Sequence, residues 1–276
     1  MALILKAAVR LYYYLNEDIA DPRTQNWFLM RTPWPGVAII VLYLASVLYW
    51  LPAFMRSRRA YDLRGVIALY NAAQIIMCGY VVYKSLVLGW FSHYRLFCQP
   101  VDEGPNSVEY AWHVCYGYFY IKIIDLLDTV FFILRKKQEQ VTFLHVYHHF
   151  GVIMVAWGIT KWVPGGHMTM LVTLNSFVHM VMYTYYLLTS WDDSYKHSLW
   201  WKKHVTQLQI LQFTYLMIHF GMLAVKRECD YPRPCAYIMF PQNLFMALMF
   251  GDFYYRTYIK KKPEQQRGKS SKPHDD

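Results

Sequence analysis

The chain has 276 residues, of which 56% are hydrophobic, 18% aromatic and 17% charged. A soluble domain carries about 25% charged residues, so this composition excludes an ordinary water-soluble globule and leaves no room for a second globular domain. The formal net charge of +10 does not point to nucleic acid, because the basic residues lie in short loops between apolar runs, as in a membrane protein.

Residues 1–33 form an N-terminal segment. Its first 15 residues are apolar but broken by Lys6 and Arg10, and no small-residue cleavage site follows, so no signal peptide is expected. Asp21-Pro22, Thr32-Pro33 and Trp34-Pro35-Gly36 punctuate the entry to the first long apolar run. A spanning helix needs about 20 mostly apolar residues. Seven segments qualify: 34–55, 66–88, 111–134, 143–160, 168–190, 205–225 and 237–259. The first, second and seventh are the strongest. The third and fifth carry polar groups, and the fourth is short enough to be read as partly re-entrant. Together 34–259 make one membrane domain, and the polar tail 260–276 is expected to be disordered.

Seven crossings put the two termini on opposite sides. One side collects Arg56, Arg58, Arg59, Arg64, Arg135, Lys136, Lys137, Lys196, Lys202, Lys203 and the basic tail from Arg256 to Lys272. The other holds Arg95, Lys161, Lys226, Arg227, Arg233 and the N-terminal segment. The richer side is therefore cytosolic and the N-terminus lumenal or extracellular. A basic cytosolic face also suits an anionic substrate such as a coenzyme A ester. Of the five cysteines, Cys78 and Cys115 fall inside spans. Cys98, Cys229 and Cys235 fall in loops on the non-cytosolic side, where disulfides are permitted; a Cys98–Cys229 bridge is expected, with Cys235 as the competing partner.

Ionisable residues inside spans are costly and mark function by default. Here they come in sets with helical spacing. His145, His148 and His149 share one face of the fourth span. Lys122, Asp125 and Thr129 lie along the third, with Asp128 on the shoulder. Asn175, His179, Met182, Tyr183 and Tyr186 form a face of the fifth, and Thr206, Gln209 and Gln212 a stripe on the sixth. At 1.5 Å per residue, His148 lies about 10 Å from the cytosolic end of its span, Asp125 about 15 Å and His179 about 16 Å. Four spans thus place polar faces in one half of the membrane, where they can meet in one pocket with apolar walls beyond. Each set also has a structural reading: a buried ion pair that holds helices together, tyrosines in an interfacial belt, interhelical hydrogen-bond glue. His93, His167, His197 and His274 are assigned no role, and His113 and His219 a structural one.

A His-x-x-His-His cluster suits metal binding or acyl transfer through an acyl-imidazole. Membrane di-iron desaturases and hydroxylases use several such boxes, whereas this sequence has one. Four motifs in order decide between them: Lys122-x-x-Asp125-x-x-Asp128-Thr129, His145-x-x-His148-His149, Asn175-x-x-x-His179-x-x-Met182-Tyr183-x-Tyr185-Tyr186 and Thr206-x-x-Gln209-x-x-Gln212. From about Asp62 to Tyr258 the sequence resembles the very-long-chain fatty acid elongases, the membrane family that condenses acyl-CoA with malonyl-CoA. One departure is that the first motif usually has Glu where this chain has Asp125, a carboxylate one methylene shorter.

The resemblance implies an all-α membrane protein with seven transmembrane helices, six of them ringed around a tunnel open to the cytosol. It implies residence in the endoplasmic reticulum and formation of 3-oxoacyl-CoA, carbon dioxide and CoA. It implies His148 as nucleophile, His145 and His149 as orienting and proton-shuttling groups, and His179 with Asn175 facing the reacting carbonyl. Asp125, Asp128, Gln209 and Gln212 would support them. Lys122, Arg135, Lys137, Gln140, Tyr185, Lys202, Thr206 and Arg256 become candidates for the CoA moiety, with Lys122 too deep for a phosphate unless CoA enters the barrel. No metal and no cofactor beyond the CoA thioester substrates is implied. Partners are acyl-CoA, malonyl-CoA and membrane lipid; a homo-oligomer and association with other enzymes of the elongation cycle are compatible with this reading. The other readings are a di-iron desaturase or hydroxylase and a seven-span receptor or transporter. Short cytosolic loops and the clustering of histidines on the cytosolic side speak against the latter.

Overall fold

The computed structural model describes residues 2–192, 194–226 and 228–260; the side chains of Ala2, Lys196 and His197 are outside the description. Of the tail expected to be disordered, 261–276 lies outside the described residues. Among the described residues all regular structure is helical. Helix α1 runs Ala2–Tyr13, α2 Trp34–Met55 and α3 Arg64–Trp90. Then come α4 over 107–124, α5 at Leu127–Leu134 and α6 at Phe143–Trp162. Helix α7 is Gly166–Trp191 and α8 Leu199–Val225; α9, Arg233–Tyr254, continues in a wider turn through Ile259.

Four of these, α2, α3, α7 and α8, are long and apolar enough by themselves to cross a membrane. The other three expected spans are helical but interrupted or polar. The third is not one helix. It breaks at Asp125 and Leu126, where Leu126 N–H donates to Ile123 O and Asp128 N–H to Asp125 O, each reaching back three residues instead of four. The fourth is unbroken. It is a continuous helix of 20 residues, roughly 30 Å long. The Thr142 hydroxyl accepts the His145 N–H at its start, and no proline intervenes before Pro164. The seventh carries Pro241 in its interior.

Helix α3 packs along α7, α8 along α9 and α7, and α4 against α6, while the Met55 end of α2 rests on α5. The N-terminal segment is tied to the far end of α6. Asp21 N–H donates to Lys161 O at 2.9 Å, the Thr24 hydroxyl to Thr160 O at 2.7 Å, and Trp157 Nε1 to Leu29 O at 2.9 Å. Lys161, expected from sequence to be a loop cation, is instead fully buried in α6, its Nζ donating to Met30 O at 2.8 Å. The stretch Asp21–Met30 of the N-terminal segment folds over it and supplies the carbonyl it needs.

Beyond that end of α6 the backbone turns through Gly165 and Gly166. Gly166 has φ +67°, and a Cβ there would be driven into the Pro100 carbonyl, so only glycine fits. The next residue, His167, donates its N–H to Gln99 O at 2.9 Å and is buried. Its ring stacks on that of His219 at 3.7 Å. Each ring's Nε2 lies against the other residue's carbonyl, at 3.3 and 3.2 Å. Cys98 and Cys229 form a disulfide in the same region, while Cys78, Cys115 and Cys235 are free thiols.

Candidate active site

The site is built on α6. Its histidines stand on one face, with ring centroids 4.4 Å apart for His145 and His149 and 5.6 Å for His148 and His149. Helix α7 brings His179 to the same place, its ring nearly parallel to that of His148 at 6.2 Å. His149 and His179 are buried.

Behind the rings lies a polar layer from α3, α4, α5 and α7. Lys122 Nζ donates to Asp125 Oδ2 at 2.8 Å and approaches His179 Nδ1 at 3.4 Å. The same Nδ1 lies 3.6 Å from Asp125 Oδ2; where it accepts from the ammonium, the ring proton sits on Nε2. The other Asp125 oxygen accepts from Gln74 Nε2 at 2.6 Å. The Tyr183 hydroxyl lies 3.1 Å from that oxygen and 2.7 Å from Asp128 Oδ2. Gln74 Nε2 also donates to Tyr70 at 3.0 Å. The shorter carboxylate of Asp125 thus accepts from Lys122 and Gln74, shares the Tyr183 proton with Asp128, and is fully buried. On the far side of the cluster, Thr129 Oγ1 lies 2.9 Å from His145 Nε2 and 2.9 Å from the Tyr43 hydroxyl.

In front of the rings is a narrow cavity between α4, α6, α7, α8 and α9, with His148, Asn175, Tyr118, Gln212 and Asn243 among its polar walls. It encloses about 50 Å³, room for a few waters. Tyr118 donates to Asn175 Oδ1 at 2.9 Å, which leaves the Asn175 amide N–H₂ free to donate. Gln212 Oε1 and His149 Nδ1 are buried without a protein partner. Farther along, the walls are Val152, Val155, Leu216, Met239 and Met246. These walls are apolar, and the unbranched methionines among them are adaptable in shape.

The structure therefore brings together His145, His148, His149, His179, Asn175, Lys122, Asp125, Asp128 and Gln212. It places others differently. Lys122, expected among the CoA ligands, is fully buried and paired with Asp125; burial forces the ammonium onto a carboxylate and away from any surface phosphate. Gln209 points to Met182 Sδ at 3.9 Å. Thr206 is buried and donates to Lys202 O at 3.0 Å. Tyr185 is buried with its ring stacked on Trp201. The rest sit at helix ends: Arg135 and Lys137 after α5, exposed Gln140 before α6, exposed Lys202 in the first turn of α8, and exposed Arg256 beyond α9, paired with Asp252 at 2.8 Å. Residues not anticipated from sequence are Tyr43, Tyr70, Gln74, Tyr118 and Gln242. Gln242 accepts from Tyr147 at 2.7 Å. Tyr70 and Gln74 stand one turn apart on α3, and that spacing is a signal that could have pointed to a shared polar face.

Among the described residues no three or more His, Cys, Asp or Glu side chains converge as metal ligands would. The arrangement suits acyl chemistry. The His148 imidazole stands at a cavity wall lined by the amide side chains of Asn175 and Gln212, and a charged network contacts the neighbouring His179 from behind.

A sequence model of the ELO: GNS1/SUR4 family matches residues 28–266. Among curated proteins, very long chain fatty acid elongase 7 of Drosophila melanogaster is 38% identical over 251 residues, covering 90% of this chain and 75% of that protein. Very long chain fatty acid elongase 7 of Rattus norvegicus is 38% identical over 255 residues, covering 91% and 90%. Very long chain fatty acid elongase 4 of Homo sapiens is 38% identical over 257 residues, covering 92% and 81%.

Proposed function

The chain belongs to the ELO (GNS1/SUR4) family, and from this premise we propose that its histidine-lined cavity carries out the condensing step of fatty acid elongation. The protein is an acyltransferase, a 3-oxoacyl-CoA synthase that joins a long-chain acyl-CoA to the two-carbon unit of malonyl-CoA. The observation that carries this reading is His148 at the cavity wall beside Asn175 and His179, with the Lys122–Asp125 pair directly behind.

The chemistry runs in two halves. A nitrogen of neutral His148 attacks the thioester carbonyl of the acyl-CoA. The C–S bond breaks, the proton on the ring's other nitrogen passes to the departing thiolate, which leaves as CoA, and a neutral acyl-imidazole remains. Malonyl-CoA then loses carbon dioxide. The electron pair of the broken C–C bond forms the enolate, so no strong base is needed. The enolate carbon attacks the acyl-imidazole, the C–N bond breaks, and 3-oxoacyl-CoA leaves; the imidazolate takes up the one proton the overall reaction consumes, which restores neutral His148. The Asn175 amide and the His179 Nε2–H donate to the oxyanions in a site shielded from water.

In this reading the seven long helical segments cross the endoplasmic reticulum membrane with the N-terminus lumenal. Five of them line the cavity and α3 backs its polar layer; the six surround a tunnel that continues from the cavity for the acyl chain and opens to the cytosol. The basic groups at the ends of α5, α8 and α9 suit the phosphates of CoA. The purified protein, given a series of acyl-CoAs and carbon-labelled malonyl-CoA, is expected to release labelled carbon dioxide and labelled 3-oxoacyl-CoA in equal amounts. No acyl-dependent incorporation with any chain length would refute the reading.

A further inference from the structure

Helix α2 turns one narrow stripe to the bundle: Ile40, Tyr43, Val47 and Met55 are its buried residues. Tyr43 is the one polar side chain among them. Its hydroxyl meets Thr129 Oγ1 on α5 at 2.9 Å, and Thr129 Oγ1 meets His145 Nε2 on α6 at 2.9 Å. Thr129 is fully buried. Two hydrogen bonds through one hydroxyl therefore join the outlying helix to the histidine cluster, with no room for solvent between.

The direction of the protons follows from counting them. Thr129 has one proton to give. If it gave that proton to Tyr43, the phenol's own proton would have no acceptor within reach among the described residues. The arrangement that satisfies every group has Tyr43 donating to Thr129 and Thr129 donating to His145 Nε2. His145 then carries its proton on Nδ1. Its ring is the nearest of the cluster to His149, whose own Nδ1 is buried without a protein partner, and His149 lies against His148.

We propose that Tyr43 and Thr129 are positioning residues for the condensation: they hold His145 as the Nδ1–H tautomer and so fix which protons the cluster presents to His148. The proposal rests on the reading of the site as acyl-condensing. It differs from a merely structural bond between α2 and α5, which would move stability and leave turnover alone.

The test uses the purified full chain in detergent. Steady-state elongation and melting are measured for wild type, Tyr43→Phe, Thr129→Ser, Thr129→Val and the double variant Tyr43→Phe/Thr129→Val. Tyr43→Phe is expected to lower kcat about tenfold with KM for both CoA thioesters unchanged. Thr129→Ser keeps the hydroxyl and should keep kcat. The double variant should lose no more than Thr129→Val alone, since both act through one chain. Wild-type kcat in Tyr43→Phe, or losses that multiply in the double variant, overturns the proposal. Nitrogen-15 spectra of histidine-labelled protein, with His145 assigned through His145→Gln, separate the two layers. A proton on Nε2 of His145 overturns the proposal alone. A wild type that shows the expected tautomer but never elongates overturns the functional reading beneath it.

Discussion

Replacing Lys122 by methionine tests the network behind the histidines. The ammonium is fully buried and 2.8 Å from Asp125 Oδ2. Its removal leaves a fully buried carboxylate with neutral Gln74 at 2.6 Å as its remaining donor, since the one Tyr183 proton, 3.1 Å away, has a nearer acceptor in Asp128 Oδ2 at 2.7 Å. Breaking a buried pair by deleting one partner costs about 3–5 kcal/mol, and the lower end, about 3 kcal/mol, is the minimum expected here. In a domain of this size each kcal/mol moves Tm by about 2–4 °C, so Lys122→Met should melt at least about 6 °C below wild type. The double variant Lys122→Met/Asp125→Asn removes the stranded charge and should recover to within about 1 kcal/mol of wild type. Melting in detergent is followed by tryptophan fluorescence, for which the chain has ten reporters. A single variant that melts with wild type, or a double variant less stable than the single, would refute the reasoning. Elongation should be lost in both, because His179 Nδ1 loses the cation that fixes its tautomer.

Gly166→Ala places an alanine at φ +67° with its Cβ on the Pro100 carbonyl; it should cost more than about 2 kcal/mol and lower Tm by at least about 5 °C. Peptide mapping without reductant should recover Cys98 joined to Cys229, with Cys235 alkylated as a free thiol. Cys98→Ser opens a loop of 131 residues and should destabilise the protein by about 2–4 kcal/mol; mapping that finds all three thiols free contradicts this. Asn175→Leu keeps the bulk but removes the amide donors at the cavity. It should lower kcat about a hundredfold with little change in KM, and it strands the Tyr118 hydroxyl, so Tm should fall slightly as well.

The parts of the site legible in the sequence are those that repeat at helical spacing. Three histidines within five positions, or Lys122 and Asp125 one turn apart, announce a shared face by their spacing alone. Three-dimensional proximity adds what spacing cannot carry. Tyr43, Tyr70 and Gln74 sit among other polar residues and tyrosines of α2 and α3, and nothing in the sequence distinguishes a tyrosine that closes a hydrogen-bond chain from one that faces lipid. Lys122 lies on the expected face, but a sequence cannot show that its charge is consumed inside the bundle by Asp125. The break between α4 and α5 is hidden for a related reason. Apolar periodicity runs straight through Asp125 and Leu126, while the backbone tightens there. Lys161 resembles a loop residue in the sequence because charge near the end of an apolar run usually marks a loop; in the fold the N-terminal segment covers it and supplies the Met30 carbonyl.

The central claim is that His148 carries the acyl group between the two halves of the reaction. Intact mass of the purified protein after incubation with an acyl-CoA alone, without malonyl-CoA, tests it directly. Wild type is expected to gain the mass of one acyl group, to lose it when malonyl-CoA is added, and to show no gain at all as His148→Ala. A wild type that elongates normally yet gains no mass with acyl-CoA alone would contradict the account and put a direct condensation of the two thioesters in its place.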